Sequence, residues 1–232
     1  MAMELNLQEV VMKSFKIKNY NINIFESDIP QKDPIIYTHL TFKDANGVMS
    51  LCPNAKFTLV SIEGVDWNKH MSPWPAKRVF KSDEDFAGEA DLYINELKSK
   101  IIPEIENRLG FKPKVRGVVG YSLAGLFSLY LLYKTDLFHR SASVSGSLWF
   151  DGFMDYIKSN ELKSPVERIY LSLGDKEKNS KNKRIKQVEE ATISAEQHFI
   201  KLGIDTVYEE NEGNHFTDSI KRIVKAINWL IR

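Results

Sequence analysis

Residues 117–130 read "GVVGYSLAGLFSLY", a serine set between two apolar runs of different character. The run that leads into it, "KVRGVVG" (114–120), is short, β-branched and punctuated by glycine, the pattern of a buried parallel strand. The run that follows, "LAGLFSLYLLYK" (123–134), is long enough for a helix. Ser122 is therefore predicted to stand on a strand-to-helix corner.

Outward from that corner, strand and helix patterns alternate. "RSASVSGSL" and "ERIYLSLG" read as strands with the helical "FMDYIKSN" between them. A long helix within 180–202, the strand "DTVYEE" and a closing helix "TDSIKRIVKAINWLI" complete the chain. Such alternation implies an α/β fold with a mostly parallel sheet and helices on both faces. Upstream, "KFTLVSIEG" (56–64) is a continuous apolar strand, whereas "SFKIKNYNINIFES" and "DPIIYTHLTF" alternate polar and apolar residues and are expected to form an antiparallel edge. Residues 89–109 carry apolar side chains near helical spacing, with Gly110 as a stop and Pro103 as a kink.

Composition narrows the function classes. A chain of 232 residues, 43% hydrophobic and 27% charged, with no linker-like stretch or internal repeat, is expected to bury one core in one domain. The formal net charge is +1, so no strong field favours nucleic acid or an anionic membrane as partner. Cys52 is the one cysteine, the opening "MAMELNLQEVVMK" has no signal-type apolar core, and no run reaches bilayer length; a cytoplasmic, non-membrane protein is expected.

In parallel sheets reactive groups gather beyond the carboxyl ends of the strands. "GVVG" leads to Ser122, "YLSLG" to Asp175 and Glu177, "VYEENEGN" to His215, and "LVSIEG" to "VDWNKHMSPW". Serine, acid, histidine is the chain order of the α/β-hydrolase triad. Gly120-Tyr121-Ser122-Leu123-Ala124 departs from the G-x-S-x-G elbow at its last position, where alanine is still small and Gly125 follows. His215, in the polar turn "EGNHFTD", has rivals: His39 in an early strand, His139 after a helix end, His198 within a helix, and His70 on a loop near the site.

"GYSLAGLFSLY", "SVSGSLW" (143–149), "SLGDKEKNSKN" (172–182), "EGNHF" (212–216) and "DWNKHMSPWPA" (66–76) together resemble the putative esterase family of α/β-hydrolases, with esterase D, the enterobactin and feruloyl esterases and the mycolyltransferases. The resemblance covers roughly residues 15–232 and is nearest to small bacterial siderophore-type esterases. It implies a single α/β-hydrolase domain over 1–232 and a serine carboxylic-ester hydrolase, with acyltransfer or non-catalytic ligand binding on the same fold as alternatives. Residue by residue it makes Ser122 the nucleophile and His215 the general base. The acid is Glu177 ahead of Asp175, with a serine–histidine dyad left open. The backbone N–H groups of Leu123 and Val65 are expected to form the oxyanion hole, with Asp66 or Trp67 as substitutes for Val65. Trp67, Trp74 and Trp149 occur in segments that flank the strand ends; core packing is the default for each, and facing the pocket they would suit an aromatic or bulky acyl group, so that Trp67, His70 and Trp149 are the candidate substrate contacts. The cationic "KEKNSKNKRIK" (176–186) reads as a solvated helix start, or as a rim for an anionic substrate. A small-molecule ester is the expected partner, and no motif calls for a metal or organic cofactor.

Overall fold

The computed structural model describes residues 11–26, 34–53, 55–81 and 83–232. The first ten residues, which carry most of the opening stretch read above, lie outside the described residues.

The chain begins with β1 (Val11–Ile17) and β2 (Tyr20–Glu26), followed by β3 (Ile35–Thr38), α1 (Phe42–Ser50), β4 (Thr58–Glu63) and the single turn α2 (Trp67–His70). α3 (Ala90–Glu96) passes through a π-helical turn, Leu97–Ile101, into α4 (Ile102–Leu109). Then come β5 (Arg116–Tyr121), α5 (Leu123–Lys134), β6 (Arg140–Val144), α6 (Phe153–Ser159) and β7 (Arg168–Gly174), and the chain ends with α7 (Val188–Lys201), β8 (Asp205–Asn211) and α8 (Ser219–Leu230). The π turn lies just upstream of Pro103, which has no N–H to return to the preceding turn, so the expected kink takes the form of a widened turn. Gly110 closes α4 at φ 78°, the left-handed conformation that glycine adopts without steric cost.

The eight strands form one sheet in the order β1-β2-β4-β3-β5-β6-β7-β8. β2 is antiparallel to both β1 and β4, and every pairing from β4 through β3 and β5 to β8 is parallel. This is the α/β-hydrolase arrangement. The expected antiparallel edge differs in its makeup. "SFKIKNYNINIFES" folds back on itself through a two-residue turn at Lys18-Asn19 and supplies the edge alone. "DPIIYTHLTF" instead contributes β3, inserted in parallel between β4 and β5, with all four strand residues buried. A central strand is covered on both faces, so alternation is not required of it. The same segment runs on into α1, a helix hidden by its Asn46 and Gly47, both weak helix formers. Its buried Ala45, Val48 and Met49 show the helical spacing, and the Thr41 hydroxyl caps it by accepting from Asp44 N–H.

Helices cover the sheet on both faces. α3 to α7 pack over one side, where Phe127, Phe153, Ile105 and Phe199 share a core. α1 and α8 pack over the other, around Val48, Ile223 and Ile227. α5 is buried along its whole length from Leu123 to Tyr133, which fixes the residue at its N-terminus within the molecule. Among the described residues no helix is long and apolar enough to cross a membrane.

Candidate active site

Ser122 stands on the predicted corner between β5 and α5, and the backbone there is strained. Ser122 has φ 57° and ψ −122°, a region that costs a non-glycine residue on the order of 1–3 kcal/mol and persists only where the surroundings impose it. Those surroundings are tight: a Cβ on Gly120 would lie 1.9 Å from the carbonyl oxygen of Ala124, and one on Gly125 would lie 2.9 Å from Gly146 Cα. The close approach of strand and helix thus falls on Gly120 and Gly125. The methyl of Ala124 fits in the core at 2% exposure, which accounts for the departure from the elbow pattern.

The strain points the serine at a histidine. Ser122 Oγ is 3.0 Å from His215 Nε2, and His215 Nδ1 is 2.7 Å from Glu177 Oε2. With Nδ1–H donating to the carboxylate, Nε2 is left to accept from the serine hydroxyl. Glu177 sits in a one-turn 3-10 segment, Glu177–Asn179, three residues beyond the end of β7. His215 follows β8, in a loop whose Gly213 adopts φ 99°. Tyr121, the last residue of β5, steadies that loop by donating its hydroxyl to the His215 carbonyl.

The two carboxylates after β7 do different things. Glu177 reaches the imidazole, whereas Asp175 Oδ1 accepts from Gly213 N–H at 2.7 Å and so ties down the loop that leads to His215. Burial alone would push the Glu177 carboxyl up. Its hydrogen bonds from His215 and from Gly174 N–H outweigh that, and the net result lies below the usual carboxylate range. Beneath it sits a residue that the sequence reading did not single out. Arg222 of α8 is 1% exposed, and its Nη1 donates to Glu177 Oε1 at 3.1 Å. Removing one partner of such a buried pair costs about 3–5 kcal/mol. A cation within a helical stretch reads by default as surface. The available signal was spacing, since Arg222, Ala226 and Leu230 fall at i, i+4 and i+8 on the buried stripe.

The Leu123 N–H, as the first of α5, has no partner within the helix and points where the helix dipole favours negative charge. Val65, expected as the second donor, follows a strand that does not lie beside the elbow. β3, not β4, is the neighbour of β5, so the loop beside the elbow is the one after β3. His39 and Leu40 from that loop line a cavity with Ser122, while Val65 lies one strand further out and is packed into the core. Asp66 caps α2 by accepting from Lys69 N–H.

Two cavities flank the pair. One, of about 440 Å³, holds Trp67 and Tyr121 in its wall; the other, of about 470 Å³, holds Trp149, Phe80 and Ser147. Ser122, His215 and Phe216 line both. His70 is not brought to them: it stacks on Tyr93 at 5.4 Å and faces a separate cavity with Lys18 and Glu96. The helical turn of α2 carries it away from the serine. The remaining histidines are engaged in other hydrogen bonds. His39 Nε2 is 3.0 Å from Tyr93 Oη in the core, His139 Nδ1 accepts from Arg116 N–H, and His198 Nε2 is 3.4 Å from Tyr133 Oη. Trp74 packs against Tyr130, Phe150 and Tyr156 as core. In the cationic stretch Arg184 pairs with Asp151 and Lys178 with Glu189, while Lys176 faces the second cavity. Among the described residues no group of three or more His, Cys, Asp or Glu side chains is arranged to hold a metal ion.

A family model described as Putative esterase matches residues 50–227. The uncharacterized protein YbbA of Bacillus subtilis (strain 168) is 28% identical over 185 residues, 75% of this chain and 73% of that one. An IroE-like serine hydrolase from Shewanella oneidensis superposes with a TM-score of 0.77 at 14% identity, over 96% of this chain and 80% of its own. The siderophore hydrolase EstB from Aspergillus nidulans gives 0.69 at 14% identity, over 100% and 98%. At these identities the structural likeness speaks for the fold alone.

Proposed function

The chain belongs to the Putative esterase family, and on that premise we propose that it is a serine carboxylic-ester hydrolase whose triad is Ser122, His215 and Glu177. One observation carries the reading: a serine held at φ 57° on the elbow, its Oγ 3.0 Å from an imidazole whose far nitrogen meets a buried carboxylate. His215 Nε2 takes the Ser122 proton as Oγ attacks the ester carbonyl, and then returns it to the departing alcohol. Glu177 holds the tautomer that makes this possible and stabilises the imidazolium formed on the way. The Leu123 N–H stabilises the oxyanion. Leu40 N–H, at the end of the strand beside the elbow and now donating to Thr38 Oγ1 at 3.1 Å, is the second donor in place of Val65. Water attacks the acyl-enzyme by the same route in reverse.

The substrate is an ester of a small molecule with bulky or aromatic parts. Support comes from the paired cavities on either side of Ser122, with Trp67 in one and Trp149 and Phe80 in the other. Siderophore-type esters suit that description, and structural neighbours include siderophore hydrolases by name. The test is hydrolysis of p-nitrophenyl butyrate and of a cyclic catechoyl-serine triester by the wild type and Ser122→Ala. Turnover of the aryl ester that vanishes in the variant supports the triad. Turnover of the triester at a higher kcat/KM than the aryl ester supports the substrate class, and equal activity in the variant refutes the mechanism.

A further inference from the structure

Arg222 is the residue the proposed triad does not use and yet surrounds itself with. It is among the largest fully buried side chains of the protein, and its guanidinium meets three separate loops. Nη1 donates to Glu177 Oε1 at 3.1 Å and to Ser145 Oγ at 3.0 Å; Nη2 donates to the carbonyls of Glu212 at 2.9 Å and Asn214 at 3.1 Å. Those loops follow β6, β7 and β8, and the last carries His215. The backbone is cut to let the guanidinium in: a Cβ on Gly174 would lie 2.8 Å from Arg222 Nη2 and 2.3 Å from Gly213 O. Ser145 holds its hydroxyl toward the guanidinium from a left-handed backbone, φ 47°.

Stability alone does not account for this arrangement. A buried ion pair is often no more stabilising than apolar residues of the same volume, and Arg222 Nε has no partner among the described residues. Its geometry, however, divides the Glu177 carboxylate. Oε1 is taken by Arg222 and by Gly174 N–H, so Oε2 is the oxygen left for His215. The charges divide likewise. The carboxylate faces a fixed cation on one side and an imidazole that gains and loses a proton on the other.

We propose that Arg222 is a positioning residue of the active site: it fixes Glu177 so that Oε2 meets His215, and its charge offsets that of the carboxylate which faces the imidazole. This rests on the triad reading above. The sign follows from the charges. Without the guanidinium the carboxylate acts on His215 undiluted, the imidazolium is favoured, and activity sets in at higher pH. The other charged and titratable groups that share the two cavities with His215 stay in place in both cases: Lys176 beside Glu177, Tyr121 from β5, His39 after β3, and Asp44 and Glu63 in the wall of the first cavity.

The experiment uses Arg222→Lys and Arg222→Met, each alone and each combined with Glu177→Gln, in the full chain. It reads kcat and KM for p-nitrophenyl butyrate from pH 5 to 9, with circular dichroism to establish folding. Arg222→Lys, which keeps the charge but loses the fork, is expected to lose about ten-fold in kcat with little change in KM and no movement of the acid limb. Arg222→Met is expected to lose more and to shift the acid limb upward by about half a pH unit or more. In the Glu177→Gln background neither substitution should cost more than about two-fold further, since the group through which Arg222 acts is gone. An unmoved acid limb in a folded Arg222→Met, or a full loss that persists in the Glu177→Gln background, overturns the proposal. Should Arg222→Met fail to fold, the Arg222→Lys pair decides by the same criterion. Near-normal activity of Glu177→Gln alone would sink the triad reading itself; an inactive Glu177→Gln with uncoupled Arg222 variants sinks only this one.

Discussion

The inner and outer sides of the Ser122–His215 pair are built from opposite materials. Inward, Glu177 and Arg222 have side chains 4% and 2% exposed, and both are held by several hydrogen bonds. Outward, Phe216 stands 86% exposed beside the imidazole, its ring centroid 5.2 Å away, and Trp67 is 36% exposed. On the proposed mechanism the inner side holds one proton-transfer geometry to within fractions of an ångström, which calls for packing and fixed charge. The outer side has to accept a ligand from water, which calls for apolar surface left unspent. Sequence neighbours can thus differ completely in role: His215 belongs to the first kind of surface and Phe216 to the second.

The largest expected effect lies on the inner side. Ser122→Ala and His215→Ala should each lower kcat by about 10⁴- to 10⁶-fold with the fold intact, as read by initial rates beside thermal melts; a residual tenth of wild-type activity in either would break the division. Next comes the acid. Glu177→Gln is predicted to lose about a hundred-fold or more in kcat, and Asp175→Asn, which only loosens the Gly213 tether, a few-fold. Reversal of that order would move the acid to Asp175, and near-normal rates in both would leave a working dyad.

A third prediction concerns stability at the wall of the first cavity. Burial pushes the His39 pKa down to about 3, while in the unfolded chain the imidazole has its ordinary value of 6.5. Between those values the unfolded state takes up a proton that the folded state refuses, so the contribution is complete above 6.5 and is lost as the pH falls toward 3. From pH 7 to pH 5 this amounts to at most about 2 kcal/mol. Urea unfolding at the two pH values should show that loss in the wild type and a smaller one in His39→Gln; an equal loss in both would show that His39 is not its source. The smallest effect is expected outside. Phe216→Ala should raise KM for aryl esters a few-fold and leave the melting temperature within a degree or two, because an exposed ring contributes little to the core. A drop in kcat with KM unchanged would instead assign Phe216 to the inner machinery.

What could be read from the sequence follows the same line. That Ser122, Glu177 and His215 meet is legible because each stands just past a strand with its own local signature. The place of β3 is not, because four buried residues carry no mark of which strands they lie between. With β3 read as an edge strand, the sequence points to the loop after β4, with Val65, and not to the loop after β3 that lies beside β5. His70 was drawn to the site by nearness in sequence, which a single turn of helix undoes. Arg222 was hidden by its charge, since its partners come from loops 77, 45, 10 and 8 residues away in the chain.

The central claim is that Ser122 is the nucleophile of a working serine hydrolase. The most direct measurement is intact-mass and peptide analysis after incubation with a fluorophosphonate. One adduct per chain, on the peptide containing Ser122, lost in Ser122→Ala and slowed in His215→Ala, is the predicted result. No adduct on the folded protein, or an adduct on another serine, would contradict it.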